Sequence, residues 1–78
     1  MKLLFFGRLR DVVGSHELDC SPPASVVDSE SLRLWIGAEH PALLDAKVRM
    51  SIDNVLVASP APIADGRVVG FLPPVSGG

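Results

Sequence analysis

Residues 47–52, Lys-Val-Arg-Met-Ser-Ile, alternate without a break, with Val48, Met50 and Ile52 on one side and Lys47, Arg49 and Ser51 on the other. A period of two marks a strand with one face against a core and one toward water. Asp53-Asn54 follows as a turn signal, since both side chains bond nearby backbone and tolerate left-handed angles. Residues 55–58, Val-Leu-Val-Ala, read as the return strand of a hairpin. In a chain of 78 residues this commits the fold to a sheet, because a lone hairpin is marginal in water and needs further strands and a cover.

Further strands are predicted toward both ends. In residues 2–6, Lys-Leu-Leu-Phe-Phe, the same period puts Leu3 and Phe5 on one side and Leu4 and Phe6 on the other. In residues 67–72, Val69 and Phe71 share one face while Val68, Gly70 and Leu72 share the other. Residues 15–20 alternate weakly and read as one more strand. Two helices fit between. Leu9, Val12 and Val13 stand at i, i+3, i+4 and precede Gly14, a C-terminal cap. The main helix is expected over residues 26–39, with Ser25 as N-cap, Asp28 and Glu30 in its first turn, and an apolar stripe of Leu32, Trp35 and Ile36. Gly37 weakens its end, His40-Pro41 closes it, and residues 41–46 tuck Leu43 or Leu44 into the core. The expected fold is therefore α+β: a mixed sheet of about five strands, one main helix across one face, and a short helix after the first strand. Leu3, Phe5, Val69 and Phe71 fill the core beneath the main helix.

Several function classes are excluded at this point. The 7 basic residues are scattered among 9 acidic ones for a net charge of -2, which is no nucleic-acid footprint. Cys20 is the sole cysteine, so neither an intramolecular disulfide nor a cysteine-based zinc site can form. It has no thiol neighbour and no activating partner beyond His16, and it reads as filler at a strand end. His16 and His40 lack a third ligand, so no metal is expected. Arg8 and Arg10 read as a solvated face. One free thiol, no signal peptide pattern and no membrane-length apolar run give a cytoplasmic expectation without membrane contact.

The end of the chain is the unusual part. Residues 1–72 form the expected folded domain, and residues 73–78, Pro-Pro-Val-Ser-Gly-Gly, form an expected flexible tail. Pro73 and Pro74 cannot donate to a sheet ladder and favour an extended path, so the last strand projects the terminus outward. Six residues reach at most roughly 20 Å. Gly77 and Gly78 have no Cβ, so the final backbone is thin enough for a narrow channel. A carboxylate there is a poor electrophile until an ATP-using partner converts it to an acyl-adenylate, from which a nucleophile displaces AMP. The bare Gly78 leaves that carbonyl uncrowded.

Residues 64–78, Ala-Asp-Gly-Arg-Val-Val-Gly-Phe-Leu-Pro-Pro-Val-Ser-Gly-Gly, resemble the C-terminus of the small subunit of molybdopterin synthase, with its Asp-Gly turn, strand and Phe-x-Pro-Pro-Val-x-Gly-Gly ending. Residues 2–14 resemble the same family, and the likeness runs along the whole chain. The resemblance implies a ubiquitin-like β-grasp fold and a sulfur carrier. An E1-like adenylyltransferase uses ATP to adenylate Gly78, a sulfur donor protein converts it to a thiocarboxylate, and the sulfur goes to cyclic pyranopterin monophosphate in molybdenum cofactor biosynthesis. The carrier binds no cofactor of its own and is not catalytic alone. It docks in a heterotetramer of two small and two large subunits. By the same resemblance, Pro73, Pro74, Val75, Ser76 and Gly77 are gripped in the partner's channel, and Phe6 and Leu72 meet the large subunit. The strand phase adds Leu4 to that apolar patch on the face away from the helix. Two departures stand out: Asp53 where the family often has Asn, and Arg67-Val68 in place of a commonly acidic pair. A thiamine-type carrier, a ubiquitin-like modifier and a plain interaction module are the competing readings, because fold alone does not separate them.

Overall fold

The computed structural model describes residues 1–58, 60–64 and 67–74. The strands are β1 (Lys2–Phe5), β2 (Glu17–Asp19), β3 (Arg49–Ile52), β4 (Val55–Val57) and β5 (Val68–Leu72), and the helices are α1 (Leu9–Val13) and α2 (Ser29–Gly37). A 3-10 helix spans Pro41–Leu44. The five strands form one sheet in the order β2-β1-β5-β3-β4. β5 is thus central, parallel to β1 with Leu4 opposite Gly70, and antiparallel to β3 with Ser51 opposite Gly70. The other two pairings, β1 with β2 and β3 with β4, are antiparallel hairpins.

The predicted strand phase is the one observed. Leu3, Phe5, Val69 and Phe71 are all 0% exposed, and they meet Leu32 and Ile36 of α2, Leu43 of the 3-10 helix and Met50 of β3 in one core. Phe5 and Phe71 lie opposite each other in the parallel pair and stack with centroids 5.5 Å apart. Of the two leucines offered to the core, Leu43 is buried and Leu44 is exposed. Asp53 and Asn54 take φ of 50° and 70°, the pair of left-handed angles a two-residue hairpin turn needs. Gly14 closes α1 at φ 86°, as its position predicts.

The main helix is shorter than its sequence pattern. It begins at Ser29, three residues after the expected start, and the cap is Asp28 rather than Ser25. A reciprocal capping box decides this: Ser31 N–H donates to Asp28 Oδ1 at 2.8 Å, and Asp28 N–H donates to Ser31 Oγ at 3.1 Å. Among the described residues Ser25 has no such partner. The backbone just ahead is held instead by the loop before β5: Ile63 N–H donates to Val27 O at 3.2 Å, and Asp28 bridges Pro62. Ser29, fully buried, accepts from Ala61 N–H at its Oγ and donates its own N–H to Ala61 O.

Candidate functional site at the exit of the central strand

The chain leaves the sheet from its middle strand. Leu72 pairs with Arg49 of β3 on one side, and Phe6 N–H donates to Phe71 O at 3.0 Å on the other. Hydrogen bonds therefore grip β5 from both flanks up to its last residues, and Pro73, lacking an N–H, ends the ladder. Because β1 and β5 are parallel, the residues after β1 stand at the same end of the sheet as this exit. Gly7 is among them, at φ +55°, and a Cβ built on it would lie 2.9 Å from Pro73 Cγ. Glycine serves twice here, by its backbone angle and by its missing side chain. Pro73 and Pro74 are both half-buried, so the exit is packed against the body. Pro74 also lines a groove of about 570 Å³ with Leu9, Val12, Pro41 and Leu44, where Arg8 and Asp45 supply the charge. Val75, Ser76, Gly77 and Gly78 lie outside the described residues, as does the Asp65-Gly66 turn.

The expected patch is present as a surface. Leu4, Phe6 and Leu72 are half-buried on the sheet face opposite the core, and among the described residues no helix packs across that face. Phe6 is held from two sides. Its ring meets the exposed His16 imidazole edge-on, with centroids 6.1 Å apart and planes at 85°. It also covers Gly70, where a built Cβ would stand 3.0 Å from Phe6 Cε2 and 2.5 Å from Ser51 Oγ. Gly70, by lacking a side chain, thus leaves room for an aromatic ring against the central strand. Sequence reasoning placed Gly70 on this face but missed its role, as it missed that of Gly7. The signal was available, since a glycine inside a strand marks a close approach.

The remaining candidates resolve simply. Burial pushes the Cys20 thiol up, away from the thiolate a nucleophile needs, ahead of the opposing pull of the N-terminal charge. Its backbone carbonyl accepts from the Met1 amine at 2.9 Å, which is a strand-end contact. His40 starts the 3-10 helix, and His16 Nδ1 lies 3.2 Å from Phe5 O. Among the described residues no three His, Cys, Asp or Glu side chains gather in a metal-holding group, and no helix is long and apolar enough to cross a membrane. The two departures in sequence pair with each other: Arg67 Nη1 donates to Asp53 Oδ2 at 2.6 Å. Asp53 Oδ1 accepts from Val68 N–H at 3.1 Å, and this bond, then Arg67, holds its carboxyl below the usual carboxylate range.

A five-stranded mixed sheet with its last strand central, one helix across one face and a chain leaving from the middle defines a ubiquitin-like β-grasp protein. The model of the ThiS family matches residues 3–78, and the chain belongs to that family. It is 34% identical over 82 residues to the molybdopterin synthase sulfur carrier subunit of Escherichia coli, covering 100% of this chain and 99% of that one. Among solved structures it is similar to a putative molybdopterin converting factor subunit 1 from Pyrococcus furiosus, at 25% identity, TM-score 0.79 and 95% coverage of both chains. It shares its fold with small archaeal modifier protein 1 of Methanosarcina acetivorans, at 24% identity and TM-score 0.78, covering 99% of this chain and 94% of the other. It is thus a relative of the small subunit of molybdopterin synthase, as its terminal motif indicates, and such a subunit implies a large-subunit partner.

Proposed function

We propose that this chain is the sulfur carrier of a molybdopterin synthase and that its reactive group is the Gly78 carboxyl. The observation that carries the reading is the exit of β5. The central strand is clamped on both flanks, Pro73 is seated on Gly7, and the bare apolar patch of Leu4, Phe6 and Leu72 lies at its root. The chain thereby leaves the sheet at a clamped strand and a seated Pro73, with an apolar face beside the exit. Homology to a sulfur carrier subunit over the full chain supports the same reading.

The chemistry follows from what a carboxylate can do. An E1-like enzyme lets one Gly78 oxygen attack the α-phosphorus of ATP, forming the acyl-adenylate and releasing pyrophosphate. The outer sulfur of a persulfide on a donor protein adds to the activated carbonyl and the C–O bond to AMP breaks; a second thiol then reduces the resulting acyl disulfide, leaving the thiocarboxylate on Gly78 and a disulfide on the donor. The loaded tail then enters the large subunit. Its sulfur displaces an oxygen substituent from a carbon of cyclic pyranopterin monophosphate to give a thioester, and water cleaves the carbonyl–sulfur bond of that thioester, leaving the sulfur on the pterin and restoring the Gly78 carboxylate. Two loaded carriers supply the two sulfurs of the dithiolene, consistent with two small and two large subunits per assembly. The carrier itself holds no cofactor, ATP belongs to the activating enzyme, and the cytosol is the compartment in which we place the sequence.

The test is an intact mass after incubation with an E1-like enzyme of the molybdenum cofactor pathway, ATP and a sulfur source. The expected product gains the difference between one sulfur and one oxygen, mapped to Gly78. An unchanged mass, with the enzyme active on a control carrier, would sink the proposal. Presenting the loaded chain to the large subunit and cyclic pyranopterin monophosphate separates this pathway from another sulfur-carrier pathway. Isopeptide adducts on lysines of other proteins would mark a modifier instead.

A further inference from the structure

The activated terminus has a neighbour that the carrier chemistry does not use. Arg49 at the start of β3 pairs with Leu72 at the end of β5, and the two strands run antiparallel. Lys47, two residues before Arg49, therefore stands at the end of the sheet where the tail leaves. The groove at the exit shows the same closeness, since Asp45 and Val48, which flank Lys47 in the chain, line it together with Pro74. Asp45 Oδ1 accepts from the Lys47 backbone N–H at 2.9 Å and holds the chain there. Lys47 is exposed and forms no salt bridge among the described residues.

The other amines lie elsewhere. Lys2 is the one further lysine of the chain. In the parallel pair of β1 and β5 it stands opposite Val68, at the far end of β5 from Leu72, roughly 13 Å away along the strand. Its ammonium has Glu17 at 3.6 Å. The Met1 amine precedes Lys2 and donates to Cys20 O at 2.9 Å. Lys47 alone of the three is at the exit. Gly78 follows Pro74 by four residues, so its carbonyl stays within roughly 14 Å of Pro74. A tether that short sets an effective concentration of about millimolar between its end and a group beside its root.

We propose that Lys47 is an internal acceptor for the Gly78 acyl-adenylate, and that the product is a chain closed on itself by an isopeptide bond. The inference rests on the carrier reading, which supplies the adenylate. The uncharged Lys47 amine adds to the Gly78 carbonyl, the bond from that carbon to the AMP oxygen breaks, and the nitrogen gives up a proton to solvent. One C–N bond replaces one C–O bond, AMP leaves, and nothing is oxidised or reduced. Relative to the starting chain the net loss is one water. The closed chain has no terminal carboxyl and is lost to sulfur transfer. A fully extended tail holds Gly78 at its greatest distance from β3, so a channel that keeps the tail straight also keeps the activated carbonyl from Lys47. Sulfur loading and self-closure compete for one intermediate, and the partner's grip on the tail decides between them.

The experiment incubates the full chain with an E1-like adenylyltransferase of the molybdenum cofactor pathway and ATP, with no sulfur source. Pyrophosphate release is read first; its absence removes the carrier reading together with this inference. With release observed, the expected product is a monomer one water lighter than the starting chain, with Lys47 joined to Gly78 in its fragment spectrum. Lys47→Arg is expected to lose this species and Lys2→Arg to keep it. Adding a sulfur source should deplete it in favour of the thiocarboxylate. Both lysines are exposed, and thermal unfolding followed by circular dichroism verifies that each variant is folded. Pyrophosphate release with no lighter monomer overturns the proposal, as does a lighter monomer that persists in Lys47→Arg. Dimers joined through Gly78, with no closed monomer, overturn it as well, because they make a second copy the acceptor.

Discussion

The Phe6 ring lies on Gly70 so closely that a Cβ on Gly70 would stand 3.0 Å from Phe6 Cε2. The same atom would be 2.5 Å from Ser51 Oγ. Gly70→Ala therefore overpacks the central strand, and the expected loss is about 1–3 kcal/mol, against a total of roughly 4–12 kcal/mol for a domain of this size. Urea unfolding measures it. Because relief requires both the Ser51 hydroxyl and the Phe6 ring to shift, and Phe6 belongs to the apolar patch, affinity for the large subunit should fall as well.

Gly7 and Gly14 give a paired test of how firmly the exit is seated. Both have positive φ, but a Cβ on Gly14 meets nothing within 4 Å, whereas one on Gly7 meets Pro73 at 2.9 Å. Gly14→Ala should cost only the left-handed strain, about 1–2 kcal/mol. Gly7→Ala should cost more, by about 1 kcal/mol of overpacking. Equal losses in denaturant titrations would show that Pro73 does not rest on Gly7.

Asp28 should make helix stability depend on acid. Its carboxyl is held below the usual range first by the Ser31 backbone N–H and then by the Ser31 hydroxyl, so its folded pKa is below its unfolded one. That sign means the stabilising contribution is fully present above the ordinary value of 3.8 and is lost as pH falls through the lower folded value. Asp28→Ala should lower the thermal midpoint at neutral pH and leave it little changed in strong acid. Asp28→Asn, still a competent cap, should keep much of the midpoint and lose the acid dependence assigned to this group.

Removing Gly78 separates docking from chemistry. A chain ending at Gly77 keeps the patch and the Pro73 seat, so it should bind the large subunit. It should yield no sulfur transfer, read as pterin product per carrier added. Normal transfer by the shortened chain would place the reactive group elsewhere.

The strands were readable because each has a face to bury, and period two assigns that face before any partner is known. Leu3, Phe5, Val69 and Phe71 are the residues that disappear from solvent. Asp53-Asn54 and Gly14 were readable because their chemistry permits angles that most residues avoid. The start of α2 was not. Val26 and Val27 suit a first helical turn, but contacts with residues 61–63, far along the chain, hold that segment extended until Asp28. The parallel pairing of β1 with β5 was equally silent, since alternation reports a face and says nothing of a neighbour. That pairing is what brings Gly7 under Pro73 and Phe6 over Gly70. The parts of the candidate site missed in sequence are those created by a contact between distant strands.

The central position of β5 also governs when this protein becomes usable. The β1–β2 and β3–β4 hairpins can form as soon as each is synthesised, but they share no edge in the finished sheet. Only residues 68–72 join them, and these are the last of the sheet to leave the ribosome. Until they insert, Phe5 lacks its stacking partner and the core lacks Val69 and Phe71. The strand that completes the fold is the one that continues into the C-terminal glycines, so a nascent or misfolded copy has no seated Pro73 to offer. The architecture orders assembly: the strand that carries the terminus is the one whose insertion joins the two hairpins into one sheet.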